Sequence, residues 1–188
     1  MSEPGVYARA LGPGFDALPA GWRALHSAPG RPVFAGNAAV TRGKHPLSGP
    51  VSDLFGFPLS SESVAVRLEI DRSGPCEYWV RTFGGRSYRS RIRLQGAPGE
   101  GRVAEKMGAL EAQMRLSLMP DGNGVELALE SARMAGLPLP VWLTPVSRAR
   151  EYQDEKGRFC FDVDVGLPGI GRLVHYQGWL NQVSEGGK

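Results

Sequence analysis

Hydrophobic and polar residues alternate with a period of two along most of the chain beyond residue 30. Between Val64 and Ile70, for example, aliphatic residues alternate with small or charged ones. This period is typical of a β-strand that buries one face and exposes the other to water. The same alternation predicts strands at 33–41, 64–70, 112–118, 125–130, 159–165 and 171–180.

Short turn signals separate these runs, for example PDGNG at 120–124 and DEKG at 154–157. Strands joined by short turns, without helices between them, indicate an antiparallel sheet. Because about ten twisted strands seldom stay flat, we predict a mainly β (α+β) fold, a single strongly curved antiparallel sheet or barrel with short N-terminal helices. The alternative is a helix-grip fold, but residues 171–188 favour a strand and a tail over its long C-terminal helix.

The helical signals all lie early in the chain. Prolines interrupt the first segment, which therefore predicts short turns that bury Phe15, Leu18, Trp22 and Leu25. In the second, at 45–58, the predicted buried face carries Leu47, Val51, Leu54 and Phe55. We expect one domain over 1–188, divided into a helical segment at 1–30, the sheet or barrel at 31–182 and a disordered tail at 183–188.

The stretch from Trp79 to Leu94, WVRTFGGRSYRSRIRL, contains five arginines and predicts a β-hairpin. Gly84-Gly85 is a favoured two-residue hairpin loop. Pairing outwards from this loop sets Phe83 opposite Arg86, Arg81 opposite Tyr88 and Trp79 opposite Ser90. These six residues therefore share one face, whereas Arg89, Arg91 and Arg93 lie on the other and are predicted to face solvent.

Arg81 is too far from the loop to reach water, so the inward face requires a partner for its charge. Glu105 meets this need, because it shares a strand face with the apolar residues Val103 and Met107. We predict an Arg81–Glu105 pair in the interior. The pair either only braces the sheet or also orients the polar group of a ligand, and the sequence leaves both readings open.

Composition narrows the function classes. A formal net charge of +3, from 22 Lys and Arg against 19 Asp and Glu, is too mild to favour nucleic-acid binding. No run approaches the length of a membrane span and no leader pattern precedes the fold, so we expect a cytoplasmic protein. Cys76, Cys160 and the three histidines lack metal-ligand spacing, and GLPGIG at 166–171 lacks the features of a phosphate loop. We therefore expect no metal and no cofactor.

Several motifs, in order, resemble a bacterial family known only as domain of unknown function family 4166. The family pattern places Trp-x-Arg-x-Phe-Gly-Gly, then an aromatic residue and a serine, on Trp79 to Ser90. It continues through a Glu and a Gly at 105 and 108, a Leu-Pro-Leu-Pro segment at 137–140 and a Tyr-x-Gly-x-Leu motif that begins at Tyr176. The resemblance implies no assigned activity, but members are sometimes attached to NAD(P)-binding oxidoreductase-like domains.

The favoured function is the binding of a small, mainly apolar molecule, lipid-like or polyketide-like, in a hydrophobic β-cavity. The predicted ligand-binding residues are Trp79, Arg81, Phe83, Tyr88, Ser90, Glu105 and Tyr176. The first alternative, which we favour less, is an enzyme (a cyclase, isomerase or hydrolase) in which Glu105 acts as acid and base. The second is an accessory partner of an NAD(P)-dependent oxidoreductase. For LPLPVWLTP at 137–145, with Leu139 and Trp142, a flap, a pocket lid and a docking surface all stay open.

Overall fold

The computed structural model describes residues 4–183 and contains three short α-helices, one 3₁₀ turn and eleven strands. The helices are α1 (Val6–Leu11), α2 (Ala20–Ser27) and α3 (Ser48–Leu54), and the 3₁₀ turn is Gly12–Phe15. The strands are β1 (Val33–Arg42), β2 (Ser61–Asp71), β3 (Glu77–Phe83), β4 (Arg86–Leu94), β5 (Arg102–Met107), β6 (Leu110–Leu118), β7 (Gly124–Met134), β8 (Leu137–Pro138), β9 (Val146–Gln153), β10 (Phe159–Leu167) and β11 (Gly171–Gln182). Of the predicted tail, residues 184–188 lie outside the described residues.

Ten of the strands close into an antiparallel barrel. Its circular order is β1-β2-β3-β4-β5-β6-β7-β9-β10-β11, and β11 pairs with β1. The two-residue strand β8 lies outside this ring and pairs only with the end of β7. The prediction of a curved sheet or barrel is confirmed in its closed form. The helix-grip alternative is wrong, because β11 occupies the place of the long C-terminal helix.

The predicted hairpin has the register expected from its loop. Phe83 pairs with Arg86, Arg81 with Tyr88 and Trp79 with Ser90. Gly84 and Gly85 both have positive φ angles, of 53° and 93°, which only glycine adopts without strain in such a tight loop. The register places Trp79, Tyr88 and Ser90 in the buried interior.

The N-terminal helices plug one end of the barrel. This plugged end carries the β2–β3, β4–β5, β6–β7 and β9–β10 turns. The carbonyl groups of Arg9 and Ala10 accept hydrogen bonds from Gly99 and Gly101 in the β4–β5 turn. The predicted core residues of this segment, Phe15, Leu18, Trp22 and Leu25, are all buried. The opposite end carries the β1–β2, β5–β6 and β10–β11 connections and residues 135–145. We call it the mouth end.

Helix α3 lies at the mouth end against the start of β11, and its predicted buried face is correct only in part, because Phe55 packs against the core whereas two leucines do not. Leu47 and Leu54 are exposed, whereas Ser48 and Ser52 are fully buried. The two serine hydroxyls donate hydrogen bonds to the carbonyl groups of Arg172 and Leu173, at 3.0 and 3.2 Å. The helix therefore docks through these polar contacts with the backbone, and Phe55 at its C-terminal end adds an apolar contact with the core.

Candidate functional site

The barrel encloses a cavity of about 140 Å³. Aromatic and aliphatic side chains from both halves of the barrel form most of its wall. The chemistry of the cavity therefore depends on the few side chains in its wall that carry polar atoms capable of strong hydrogen bonds. These are Tyr7, Arg81, Tyr88, Glu105, Ser147, Glu151 and Tyr176.

Arg81 and Glu105 form the predicted pair on one wall of the cavity. The Arg81 Nη1 donates hydrogen bonds to Glu105 Oε1 at 3.0 Å and to Ser90 Oγ at 2.8 Å. Its guanidinium carbon lies 4.7 Å from the centre of the Trp79 ring and 5.4 Å from that of Tyr88, within the range of a cation–π contact. The neighbouring strands β3, β4 and β5 thus supply the charged Arg81 together with the side chains that contact it.

Electrostatics keep the Arg81 guanidinium charged. Burial, the largest single effect, would lower the pKa of Arg81, but Glu105 together with the surrounding tyrosines raises this pKa above its usual value. A buried charge that retains a single partner is stable only with further hydrogen bonds or favourable rings around it. Ser90 and the faces of Trp79 and Tyr88 provide these contacts.

Part of the hydrogen-bonding capacity of this pair is unused. A guanidinium group has five N–H donors, and those of Arg81 Nη1 bind Ser90 and Glu105. Within residues 4–183, Arg81 Nε and Nη2 and Glu105 Oε2 have no protein partner, and none of these three atoms is fully buried. Since both side chains line the cavity, these donors and this acceptor are available to a group inside it.

Two tyrosines form a bar across the lumen. The hydroxyl of Tyr88, on β4, and that of Tyr176, on β11, are hydrogen-bonded at 3.1 Å. Phe83 stacks on Tyr88 and contacts the edge of Tyr176, with ring centres at 6.3 and 5.4 Å. Burial raises the pKa of both tyrosines, so that both hydroxyls stay protonated.

A second polar group lies at the floor of the cavity, where α1 and α2 close the barrel. His26 is fully buried between the rings of Tyr7 and Trp22, with both ring centres at 4.1 Å. Its Nε2 lies 3.0 Å from Oε2 of Glu151 on β9. Burial, together with the negative charges of Glu151 and Glu105, raises the pKa of Tyr7 well above its usual value. Tyr7 therefore offers a neutral hydroxyl to the cavity.

Most of the predicted ligand-binding residues line this cavity: Trp79, Arg81, Phe83, Tyr88, Glu105 and Tyr176. Ser90 is behind them and holds Arg81 in place. The Nε1 of Trp79 is not free for a ligand, because it donates to Glu77 at 2.8 Å. Whether these residues bind a ligand stays a prediction, as does the catalytic role of Glu105.

Sequence analysis did not predict the second polar group, formed by Tyr7, His26 and Glu151. Nothing in the alternation singled out Tyr7, and His26 was considered only as a metal ligand, for which its spacing is unsuitable. Glu151 lies on β9, which was not among the predicted strands, because its sequence VSRAREYQ contains little hydrophobic contrast. The available signal was the alternation of Arg148 and Arg150 with Ala149 and Glu151, a period of two in which the arginines mark the outer face.

The segment LPLPVWLTP lies beside the cavity mouth and not inside the barrel. Val141 is 88% exposed and Trp142 is 68% exposed, whereas Leu139 is half-buried. Of this segment only Pro145 reaches the cavity wall. A role of the segment as a flap, a pocket lid or a docking surface would therefore depend on these exposed side chains.

These features define a class of protein: a closed, ten-stranded antiparallel β-barrel whose lumen contains a charged pair and a second polar group. A sequence model for the family described as Domain of unknown function (DUF4166) matches residues 18–180. The chain belongs to this family, which its motifs had indicated. Among curated proteins, no sequence matches the chain.

The structure also bears on metal binding and on membrane spans. Between residues 4 and 183, no group of three or more His, Cys, Asp or Glu side chains is arranged to hold a metal ion. Over the same residues, the helices are all too short or too polar to cross a bilayer.

Proposed function

We propose that the protein binds a small, mainly apolar molecule in the barrel lumen and that Arg81 and Glu105 anchor its polar group. The observation that carries this proposal is the set of unused donors on Arg81, which face a cavity with mostly apolar walls. Apolar pockets with a few convergent polar groups are the usual small-molecule sites of proteins.

The size of the cavity restricts the ligand. A volume of about 140 Å³ is close to that of an apolar cavity of about 150 Å³ that holds one benzene ring. The part of the ligand inside the lumen is therefore a single ring or a short chain. A longer lipid-like or polyketide-like molecule would extend past Met107 and Pro145 at the mouth end.

The proposal is tested with acetophenone, a single ring that carries one hydrogen-bond acceptor. Binding is measured by calorimetry on wild type, on Arg81→Ala and on Arg91→Ala, the matched control on the outer face of the same hairpin. Because hydrogen bonds to a charged donor are lost, we expect affinity for Arg81→Ala to fall by about tenfold or more. Arg91→Ala should bind like wild type.

Equal losses in the two variants, or no binding to wild type by any of a panel of ring-sized molecules, would contradict the proposal. An Arg81→Met, Glu105→Leu double variant removes both charges together and serves as a second test if Arg81→Ala does not fold. Native mass spectrometry after mild purification would identify any molecule that the protein already carries.

A second candidate function, as an accessory partner of an NAD(P)-dependent oxidoreductase, rests on the exposed apolar surface around the mouth. Leu137, Val141 and Trp142 are between 68% and 88% exposed, and large exposed apolar patches often mark interaction sites.

The enzyme alternative, with Glu105 as acid and base, would use the cavity in the barrel lumen. The unpaired Oε2 of Glu105 is the atom that would exchange the proton.

A further inference from the structure

Glu151 lies on the barrel wall opposite Arg81. In the ring of ten strands, β3 and β9 are five positions apart in either direction. Arg81 on β3 and Glu151 on β9 therefore belong to opposite walls, and both line the cavity. A ligand between them meets a cation on one side and a carboxylate on the other.

His26 contacts Glu151 through one of its two ring nitrogens. Within residues 4–183 the Nδ1 of His26 is buried and has no hydrogen-bond partner. The Nε2 lies 3.0 Å from Glu151 Oε2, and a proton on Nε2 is donated to this carboxylate oxygen.

Glu151 differs from the other buried carboxylates, because within residues 4–183 no arginine or lysine forms an ion pair with it. Glu105 is paired with Arg81 at 3.0 Å, and Glu77 is paired with Arg72 at 3.2 Å. The cavity wall thus carries two carboxylates, those of Glu105 and Glu151, and one guanidinium, that of Arg81. A buried charge without a counter-charge is unfavourable, so that a cation would be stabilised there.

The surroundings of Glu151 also suit a cation. Within residues 4–183 its Oε1 has no protein partner, and the side chain faces the cavity. Tyr7 is 2% exposed, lines the cavity and donates its hydroxyl to no described residue. Phe159 and Phe161 also line the cavity, and Phe161 lies opposite Glu151 in the pairing of β10 with β9.

We propose that the ligand is a small apolar amine whose ammonium group binds Glu151 and the Tyr7 hydroxyl. This inference rests on the proposed function, to which it adds the chemical class of the ligand. The ammonium donates to Oε1 of Glu151, while the apolar body occupies the space between the two walls. An acceptor at the far end of the ligand would reach the unused donors of Arg81.

Three probes of similar shape test whether the lumen prefers a cation, a neutral molecule or an anion. They are phenethylamine, propylbenzene and phenylacetate. Their affinities are measured by calorimetry at pH 7.5, where the amine is protonated. We expect phenethylamine to bind wild type about tenfold or more tightly than propylbenzene, since it adds a charge-assisted hydrogen bond. In Glu151→Gln this advantage should disappear, whereas propylbenzene should bind as before.

Glu126→Gln is the matched control, because Glu126 lies on the neighbouring strand β7 and is exposed. It should retain the full preference for the amine. Tyr7→Phe removes only the hydroxyl, so we expect it to weaken the binding of phenethylamine and to leave that of propylbenzene unchanged. This second variant keeps the test valid if Glu151→Gln does not fold.

The possible failures are distinguishable. Equal binding of phenethylamine and propylbenzene to wild type would overturn the inference and leave the proposed function standing. Tightest binding of phenylacetate would also overturn it, because the lumen would then select anions through Arg81. If none of the three probes binds, both the amine inference and the proposed function lose their support.

Discussion

At the scale of single residues, Arg81 is a cation that the barrel keeps charged in its interior. Its stability there depends on Glu105, which it contacts at 3.0 Å, and on the rings above and below it. Both side chains are largely buried, with exposed fractions of 16% and 14%. Removing one member of such a pair leaves the other as an unpaired buried charge.

The first stability prediction follows from this dependence. Arg81→Met or Glu105→Leu alone should each lower the free energy of unfolding by about 3–5 kcal/mol. The double variant, which leaves no unpaired charge, should lie within about 2 kcal/mol of wild type. Urea denaturation of the four proteins gives the coupling energy. Additive losses in the double variant would show that the two charges do not depend on one another.

The residue scale also shows what the sequence could and could not predict. Arg81, Tyr88 and Ser90 were predicted to be interior because a two-residue loop fixes every pairing in a hairpin. Glu151 and His26 could not be paired from sequence, since their contact joins a helix in the plug to β9, 125 positions along the chain. No local rule of spacing connects two such distant segments.

At the scale of elements, helix α3 exposes Leu47 and Leu54, two of the four side chains that its periodicity predicted to be buried. It has only seven residues, so its few aliphatic side chains do not determine how it docks. The carbonyl groups of Arg172 and Leu173 require donors, and Ser48 and Ser52 supply them. Hydrogen-bond satisfaction therefore determines the orientation of this helix, whereas apolar burial determines that of α2.

The corrected orientation of α3 makes a prediction opposite to that from sequence. Ser52→Leu should destabilise the protein by about 1–3 kcal/mol, because it inserts a larger side chain at a fully buried position. Leu54→Ser should change stability by no more than about 0.5 kcal/mol, because Leu54 is exposed. Thermal or urea unfolding measures both. A larger loss of stability in Leu54→Ser than in Ser52→Leu would instead indicate that the helix docks through its aliphatic face.

At the scale of the whole molecule, the strand count and the antiparallel pairing could be predicted, but closure of the barrel could not. Closure depends on contacts such as β1 with β11 and β7 with β9, which alternation alone does not specify. Strand β7 pairs with β9 only over Gly124–Ala128, and its far end pairs with β8 instead. The strand pairing of the wall is therefore interrupted near residues 135–145.

The exposed apolar surface lies at this same end of the barrel, which bears on the accessory-partner candidate. If it docks a protein, a Val141→Ser, Trp142→Ala variant should no longer retain an NAD(P)-dependent oxidoreductase that wild type retains in a pull-down read by mass spectrometry. Leu118→Ala, which changes an exposed apolar residue at the plugged end, is the control. Retention of the same oxidoreductase by all three proteins would exclude this surface as its docking site.

The pairing of β1 with β11 also has a consequence for the time course of folding. Phe34 lies opposite Gln182, so that this seam joins segments from nearly opposite ends of the sheet sequence. The hairpins between β2 and β7 need only short loop closures and can form early, whereas the seam requires a long one. We therefore expect the lumen to be the last feature to mature. A ligand that binds only the closed barrel would then stabilise the final step of folding, and its absence would leave a late, open intermediate more populated.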